Sequence, residues 1–382
     1  MRPVSTAEEL QRRPGDAEFE IALFGRGVGE ASLIHVGGNE WWIVDSFSCR
    51  NRPIALSYLA LLGVPPSQVR HIFISHFDTD HYRGIESLYY SCNGAQFWFS
   101  SALNEKWFTR VYSTQLSDTV GELGIVFGLL RDEVRRSRGG RRRMNLLTAF
   151  QMGAKSEGVT SFALAPTSDA CQSANEELSD VIDGPRFGAG MAPRVRRQLR
   201  NQNRCSVVLH LDFHPPGSDR TFAAILGGDL LVSPRRFGWD SVVDDTRISG
   251  FQRADLVKVP HHGSESAYSK TLWSDLTTTP EVAILVSPFT SLPSPIPTRS
   301  DLKRLGERGA VWLTAPSGAD EIDEFGNSLS GYTAAPINDS DSYSSAAGLP
   351  PGVGLVRARR EPYETAWRVK AWGAAKRQQD NE

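Results

Sequence analysis

Apolar and polar positions along this chain fall into short blocks that predict alternating strands and helices. Glu18 to Phe24 reads as a strand, and Gly25-Arg26-Gly27-Val28-Gly29 as a turn. Ala31 to Val36 continues as a strand. Gly37-Gly38-Asn39 turns the chain, and Glu40 to Val44 returns and ends in Asp45-Ser46. Arg52 to Leu62 has helical periodicity, with Ile54, Leu56, Leu59 and Leu62 on one side. Gly63 stops that helix, and Pro65-Pro66 prevents its resumption. Val69 to Ile74 is the next strand. Further apolar runs at Ser206–Phe213, Thr221–Leu226, Leu256–Val259, Val282–Val286 and Val311–Thr314 read as strands, with a helix over about Ser300–Glu307. Strand, helix, strand with polar residues at the strand ends predicts an α/β fold.

Residues from about 100 to 200 break the pattern and read as an insertion. Thr119 to Val134 is helical and runs into a stretch with Arg135, Arg136, Arg138, Arg141, Arg142 and Arg143. A polar, glycine-rich segment follows from Lys155 to Gly190, then a second basic run from Arg194 to Arg200. The middle of this insertion is expected to be disordered. The predicted organisation is one large domain over 1–335 and a flexible stretch at 336–351. C-terminal strands over 352–382 complete the domain, turn around Glu361-Pro362 and fray from Ala375 onward.

Composition adds bounds. The chain has 382 residues, 40% of them hydrophobic, which is enough for a sizeable core. A net charge of -2 points to no partner by bulk electrostatics. Cys49, Cys92, Cys171 and Cys205 form no CxxC pair, which fits reduced thiols in a cytosolic protein. No apolar signal-peptide core and no membrane-length apolar run occurs, so a cytoplasmic protein without membrane contact is expected.

The most informative stretch is Ser75-His76-Phe77-Asp78-Thr79-Asp80-His81, where the strand Ile72-Phe73-Ile74 ends. Four metal-capable side chains within six residues can face two adjacent ions from one short loop. Two ions about 3.5–4 Å apart activate water and clamp a phosphoryl group. The alternative reading is a polar loop that happens to be acidic. Two further strand ends change that reading: Gly227-Gly228-Asp229 and Pro260-His261-His262-Gly263-Ser264. Four of the eight histidines lie in these motifs, and Asp45 marks a fourth strand end.

The order of these motifs resembles the metallo-β-lactamase fold, and within it the branch typified by the soluble hydrolase domain of ComEC-type DNA-uptake proteins. The matching segments are Gly25–Glu30, Ile43–Asp45, Ser75–His81, Asn203–Val208, Leu226–Asp229 and Leu256–Ser264. The resemblance covers roughly residues 18–100 and 200–330 and implies an αββα sandwich with its site at one edge. It implies His76 and Asp78 on a first metal, Asp80, His81 and His262 on a second, Asp229 bridging, and Asp45 orienting a ligand or a loop amide. Asp78 stands where most of the superfamily has His. Its harder oxygen moves preference from zinc toward manganese or magnesium. The implied cofactors are two divalent ions, zinc or manganese, with magnesium also compatible. One departure concerns the first site: Tyr82 to Arg200 contains no histidine. His210 and His214 precede Asp229, but they alternate with Asp212 on a strand face that reads as solvated or edge-exposed.

Asp80, Asp229 and His261 are the residues expected to carry catalysis. His261 reads either as a substrate-facing acid or as a packed neighbour of His262. His35 and His71 read as structural. Ser264 either offers its backbone N–H to a phosphate or only shapes its turn. The arginines at 135, 136, 138, 141, 142 and 143 read either as a phosphate-backbone contact or as a solvated basic loop. Phe97-Trp98-Phe99 and Trp107-Phe108 read as core before base-stacking platforms. The leading expectation is a two-metal phosphodiesterase, most of all a nuclease on DNA or RNA. A small-molecule phosphoester hydrolase (cyclic nucleotide or phosphocholine-like) and a non-catalytic, partner-gated effector module are the alternatives. No sequence feature points to a protein partner.

Overall fold

The computed structural model describes residues 7–102, 117–136, 143–182, 203–233, 237–291, 295–317 and 349–378. In chain order the strands begin with β1 (Phe19–Gly25), β2 (Glu30–His35), β3 (Trp41–Val44), β4 (Ser48–Cys49), β5 (Arg52–Pro53), β6 (Val69–Ile74) and β7 (Gln96–Ser100). They continue with β8 (Met144–Leu147), β9 (Met152–Lys155), β10 (Val159–Ala165), β11 (Val208–Phe213), β12 (Phe222–Leu226) and β13 (Leu256–Lys258). The last are β14 (Val282–Val286), β15 (Gly309–Leu313), β16 (Gly354–Arg360), β17 (Arg368–Gly373) and β18 (Lys376–Arg377). The first sheet runs β17-β16-β1-β2-β3-β6-β7-β8, and the second β18-β15-β14-β13-β12-β11-β10-β9. Strands β3, β6, β7 and β8 are parallel, as are β12, β13, β14 and β15.

The two sheets bury their inner faces against each other. Phe19, Ile21, Leu23, Trp42 and Phe73 from the first meet Leu209, Leu211, Phe213, Leu226 and Leu256 from the second. Each such side chain contributes about 1.5–3 kcal/mol by leaving water. The outer faces are covered as well. Helices α1 (Ala7–Gln11), α2 (Ile54–Leu61), α3 (Thr79–Tyr82), α4 (Ile85–Ser91) and α5 (Ser117–Arg136) belong to the first-sheet side. After α6 (Ser168–Ile182), helices α7 (Trp239–Val243), α8 (Lys270–Asp275) and α9 (Arg299–Gly306) cover the second. With both faces covered, β1 and β14 are buried at every position and cannot show a polar alternation. This is the α/β, αββα architecture expected from the sequence.

Several expectations change. The helix expected from Arg52 begins at Ile54, because Arg52 and Pro53 form β5. Proline forces the residue before it into an extended conformation. The segment read as an insertion supplies β8 to the first sheet and β9 and β10 to the second. β8 and β9 are four residues each and lie at sheet edges with few buried positions, so their pattern is weak, whereas β10 is seven residues long, internal to its sheet and mostly buried. The face carrying His210, Asp212 and His214 is exposed at His214 and half-buried at Asp212, but not solvated at His210. His210 is fully buried, its Nε2 is 2.7 Å from the Gln252 carbonyl, and its ring packs on Phe251.

Phe97 and Phe99 are core residues, and Trp98 donates to His71 Nδ1 at 3.0 Å. Arg143 fastens α5 rather than facing a substrate. Its guanidinium donates to Glu133 at 3.0 Å and to the Ala95 carbonyl at 2.9 Å, and it lies over the Tyr89 ring. Arg138, Arg141 and Arg142, the run from Arg194 to Arg200, Trp107-Phe108 and residues 336–348 lie outside the described residues, as do the side chains of Arg135 and Arg136. All four cysteines are buried and free. No helix among the described residues is long and apolar enough to cross a membrane.

Candidate metal centre

The carboxyl ends of β3, β6, β12 and β13 meet at one edge of the sandwich. A backbone bond from Val207 to the Ser75 carbonyl, 2.8 Å, ties the loop after β6 to the start of β11. The turn Gly227-Gly228-Asp229 depends on its glycines. A Cβ at Gly227 would lie 2.7 Å from the Pro260 nitrogen, and Gly228 has φ +51. That close approach lets His261 N–H donate to the Gly228 carbonyl at 3.0 Å. His261 and His262 both hold left-handed backbone, with φ of 45 and 57. Such strain in non-glycine residues persists where the surroundings over-determine it, often at functional sites.

Three imidazoles converge. His76 Nε2 lies 3.7 Å from Asp229 Oδ2, and His81 Nε2 lies 3.5 Å from Asp229 Oδ1. His262 Nε2 lies 3.7 Å from both Asp229 and Asp80, and His81 Nε2 is 3.6 Å from Asp80. Each ring is held from behind through Nδ1. His81 Nδ1 is 2.8 Å from Asp45, His262 Nδ1 is 2.8 Å from the Ser287 carbonyl, and His76 Nδ1 is 3.0 Å from Ser75 Oγ. Asp45 also accepts from Ser75 N and Oγ at 2.7 and 2.8 Å. A carboxylate or carbonyl at Nδ1 fixes the proton there and leaves Nε2 as a lone pair, the tautomer of a metal ligand.

His76 Nε2, His81 Nε2 and Asp229 Oδ1 are buried without a hydrogen-bond partner. Buried polar atoms are rarely left so. Nitrogen and oxygen donors sharing one space fit divalent ions well. Among the described residues three donor sets can be drawn: His76, His81 and Asp229; Asp80, His81 and His262; and, on the Nδ1 side of His81, Glu30, Asp45 and His81. The first two share the space that the Nε2 atoms face. These residues would hold the ions.

Asp78 joins none of these sets. Its Oδ1 accepts from Thr79 N at 2.9 Å and caps α3. The cap engages one carboxylate oxygen only; the donors that share a space with His76 are His81 and Asp229. Ser264 Oγ sits 2.8 Å from His261 Nδ1 and 2.9 Å from Ser266 Oγ, so its side chain orients His261. Two residues carried no assigned role in the sequence reading, Glu30 and Lys258. Both are buried and paired with each other, and Lys258 Nζ also donates to the Gly228 carbonyl at 3.1 Å. A lysine inside the apolar run Leu256–Val259 was the available signal.

Charge is distributed unevenly. Burial and the neighbouring His81 hold His76 down to about 4, against the pull of Asp229. Burial also works against charge on His81 and His262, but Asp229 and Asp80 outweigh it and raise both above 6.5. Asp229 is likewise held well below the carboxylate range by His81 and His262, despite its burial. Burial lowers His261, which favours its neutral form.

The raised histidines stabilise the metal-free protein fully below 6.5, their ordinary value, and lose that contribution as pH rises through their folded values. His76 acts oppositely, costing stability as pH falls below 6.5. Chelated protein is thus expected to melt at progressively lower temperature as pH rises above about 7. Saturating zinc reverses the slope, because metal binding needs unprotonated imidazoles. Melting curves with and without chelator check this; a flat chelated profile would contradict it.

Residues 24–134 match the metallo-beta-lactamase superfamily. The match spans β1 to α5 and includes the whole Ser75–His81 loop, and the two-sheet architecture around it is the metallo-β-lactamase sandwich. Similar solved structures include a subclass B3 metallo-beta-lactamase from a soil metagenome library, 13% identical over 66% of this chain and 81% of that chain, TM-score 0.34. Another is human tRNase Z, short form, 11% identical over 62% of this chain and 76% of that chain, TM-score 0.32. No curated protein matches the chain.

Proposed function

We propose that this protein is a metal-dependent phosphodiesterase, with nucleic acid as its substrate class. The observation that carries the metal-dependent part is the convergence of three buried Nε2 atoms on Asp80 and Asp229. When bound, divalent ions supply Lewis-acid activation of water and neutralise charge on a phosphoryl group. Asp229, facing all three imidazoles, sits where a bridging ligand would. His261 is only partly buried, and its burial favours the neutral form. Ser264 Oγ engages its Nδ1, so Nε2 is the ring atom left to hydrogen-bond a substrate oxygen.

The phosphodiester reading is supported by the oxygen donors Asp80 and Asp229, which suit manganese or magnesium as well as zinc. The ComEC-like motif order, with Asp78 in the position most of the superfamily gives to His, supports the same branch. The nucleic-acid reading is supported by the arginines at 135, 136, 138, 141 and 142.

The test is cleavage of labelled single- and double-stranded DNA and RNA, beside a small chromogenic phosphodiester and a β-lactam, with zinc, manganese or magnesium. Metal-dependent cutting of nucleic acid that weakens as salt rises is expected. Turnover of the small diester alone would move the assignment to a small-molecule phosphoester hydrolase. Turnover of the β-lactam alone would overturn the phosphodiesterase reading.

A further inference from the structure

Below the ligand cluster lies a buried pair that the proposed chemistry does not use. Glu30 opens β2 in the first sheet, and Lys258 closes β13 in the second. Their side chains are each 3% exposed and form an ion pair. The pair therefore joins the two sheets beneath the site. Each sheet supplies part of the cluster: His76, Asp80 and His81 follow β6, while Asp229 follows β12 and His262 follows β13.

Both partners touch the machinery directly. Glu30 Oε1 lies 3.6 Å from His81 Nδ1, and its Oε2 lies 3.6 Å from His262 Nδ1. One carboxylate thus faces the rear of two imidazoles that come from different sheets. Oε2 has no hydrogen-bond partner. Lys258 Nζ donates to the carbonyl of Gly228, the residue before Asp229. Desolvation acts against the ammonium, but Glu30, with Asp229 beyond it, holds it charged.

A buried ion pair is weak evidence for stability, because two apolar residues of similar volume often replace it without loss. Its retention in an otherwise apolar strand calls for another role. We infer that Glu30 and Lys258 are positioning residues that set the two halves of the cluster, one from each sheet, at a separation that accepts metal. The inference rests on the metal-centre reading above.

The experiment compares the parent, Glu30→Gln, and the double variant Glu30→Leu with Lys258→Met. Zinc and manganese affinities are measured by chelator competition at a temperature where far-ultraviolet circular dichroism shows each metal-free variant folded. Thermal unfolding is measured in parallel. Glu30→Gln is expected to bind metal about 10–100-fold more weakly, the usual effect of losing a group that orients a ligand. The double variant is expected to regain most of the parent's metal-free melting temperature and still bind metal about 10–100-fold more weakly.

That split marks positioning, since a purely structural pair would restore both together. Parent-like affinity in either variant overturns the inference and leaves the pair as a sheet clamp. If the double variant does not fold, the affinity of folded Glu30→Gln decides. A parent that takes up neither ion would overturn the metal-centre reading itself, a different result from a parent that binds and variants that bind equally.

Discussion

Asp229→Asn removes metal-dependent cleavage and most of the bound metal while leaving the fold intact. The substitution keeps the shape of the side chain but removes the charge that three imidazoles face at 3.5–3.7 Å. Groups that merely orient ligands cost about 10–100-fold when lost, so a residue facing all three rings should cost more than about 100-fold in cleavage. A second consequence separates this variant from a general loss of structure. His81 and His262 owe their raised protonation largely to Asp229 and Asp80. In Asp229→Asn the alkaline loss of metal-free stability should shrink markedly. Metal content by elemental analysis, cleavage rate and the pH profile of melting are the three readouts. Parent-like cleavage with full metal content would remove Asp229 from the mechanism.

Asp45→Asn weakens metal binding by about 10–100-fold without touching a metal-facing atom. Asp45 accepts from Ser75 N, Ser75 Oγ and His81 Nδ1, and all of these groups are buried. Asparagine places an amide N–H where one carboxylate oxygen accepted, so a donor faces a donor. One unsatisfied buried group costs about 1–3 kcal/mol, and the metal-free protein should melt lower. The backbone is not the cause. Asp45 has φ +61, a left-handed conformation that asparagine tolerates as well as aspartate. The His81 ring, freed at Nδ1, loses the proton placement that keeps its Nε2 a lone pair. Chelator competition measures the first effect and thermal unfolding the second. An affinity within twofold of the parent would refute the orienting role.

What could be read from the chain follows physical lines. His76, Asp80, His81, Asp229 and His262 were legible because each stands just past a short apolar run, where a parallel sheet opens. For Asp78, spacing names a carboxylate but not the direction each of its oxygens takes. The helix that starts at Thr79 claims it as a cap. His210 was misjudged because alternation with Asp212 looks like a wet face, whereas the segment carrying Gln252 and Phe251 covers it. Glu30 and Lys258 sit in strands, and a charge in a strand normally reads as an edge facing water. Only the folded arrangement brings these two together from opposite sheets. β8 and β9 were missed because short edge strands with few buried positions leave little periodicity to read; β10 is longer and mostly buried, but it lies in a stretch whose polar, glycine-rich composition reads as a loop.

The hairpin of β16 and β17 has a bearing on how the chain is made. β16 pairs with β1 along its whole length, from Phe19 with Arg360 to Gly25 with Gly354. From the same stretch, Arg360 reaches Asp255 beside the second sheet, Trp367 donates to Asp255 at 2.7 Å, and β18 adds to β15. During synthesis, the outer edge of β1 stays open until β16, about 330 residues further along, has emerged. Contacts so distant in sequence form slowly. An apolar strand with an open edge is the usual template for intermolecular pairing. Premature termination anywhere before Gly354 would leave that edge uncovered, so incomplete chains of this protein carry an aggregation hazard that the finished fold conceals.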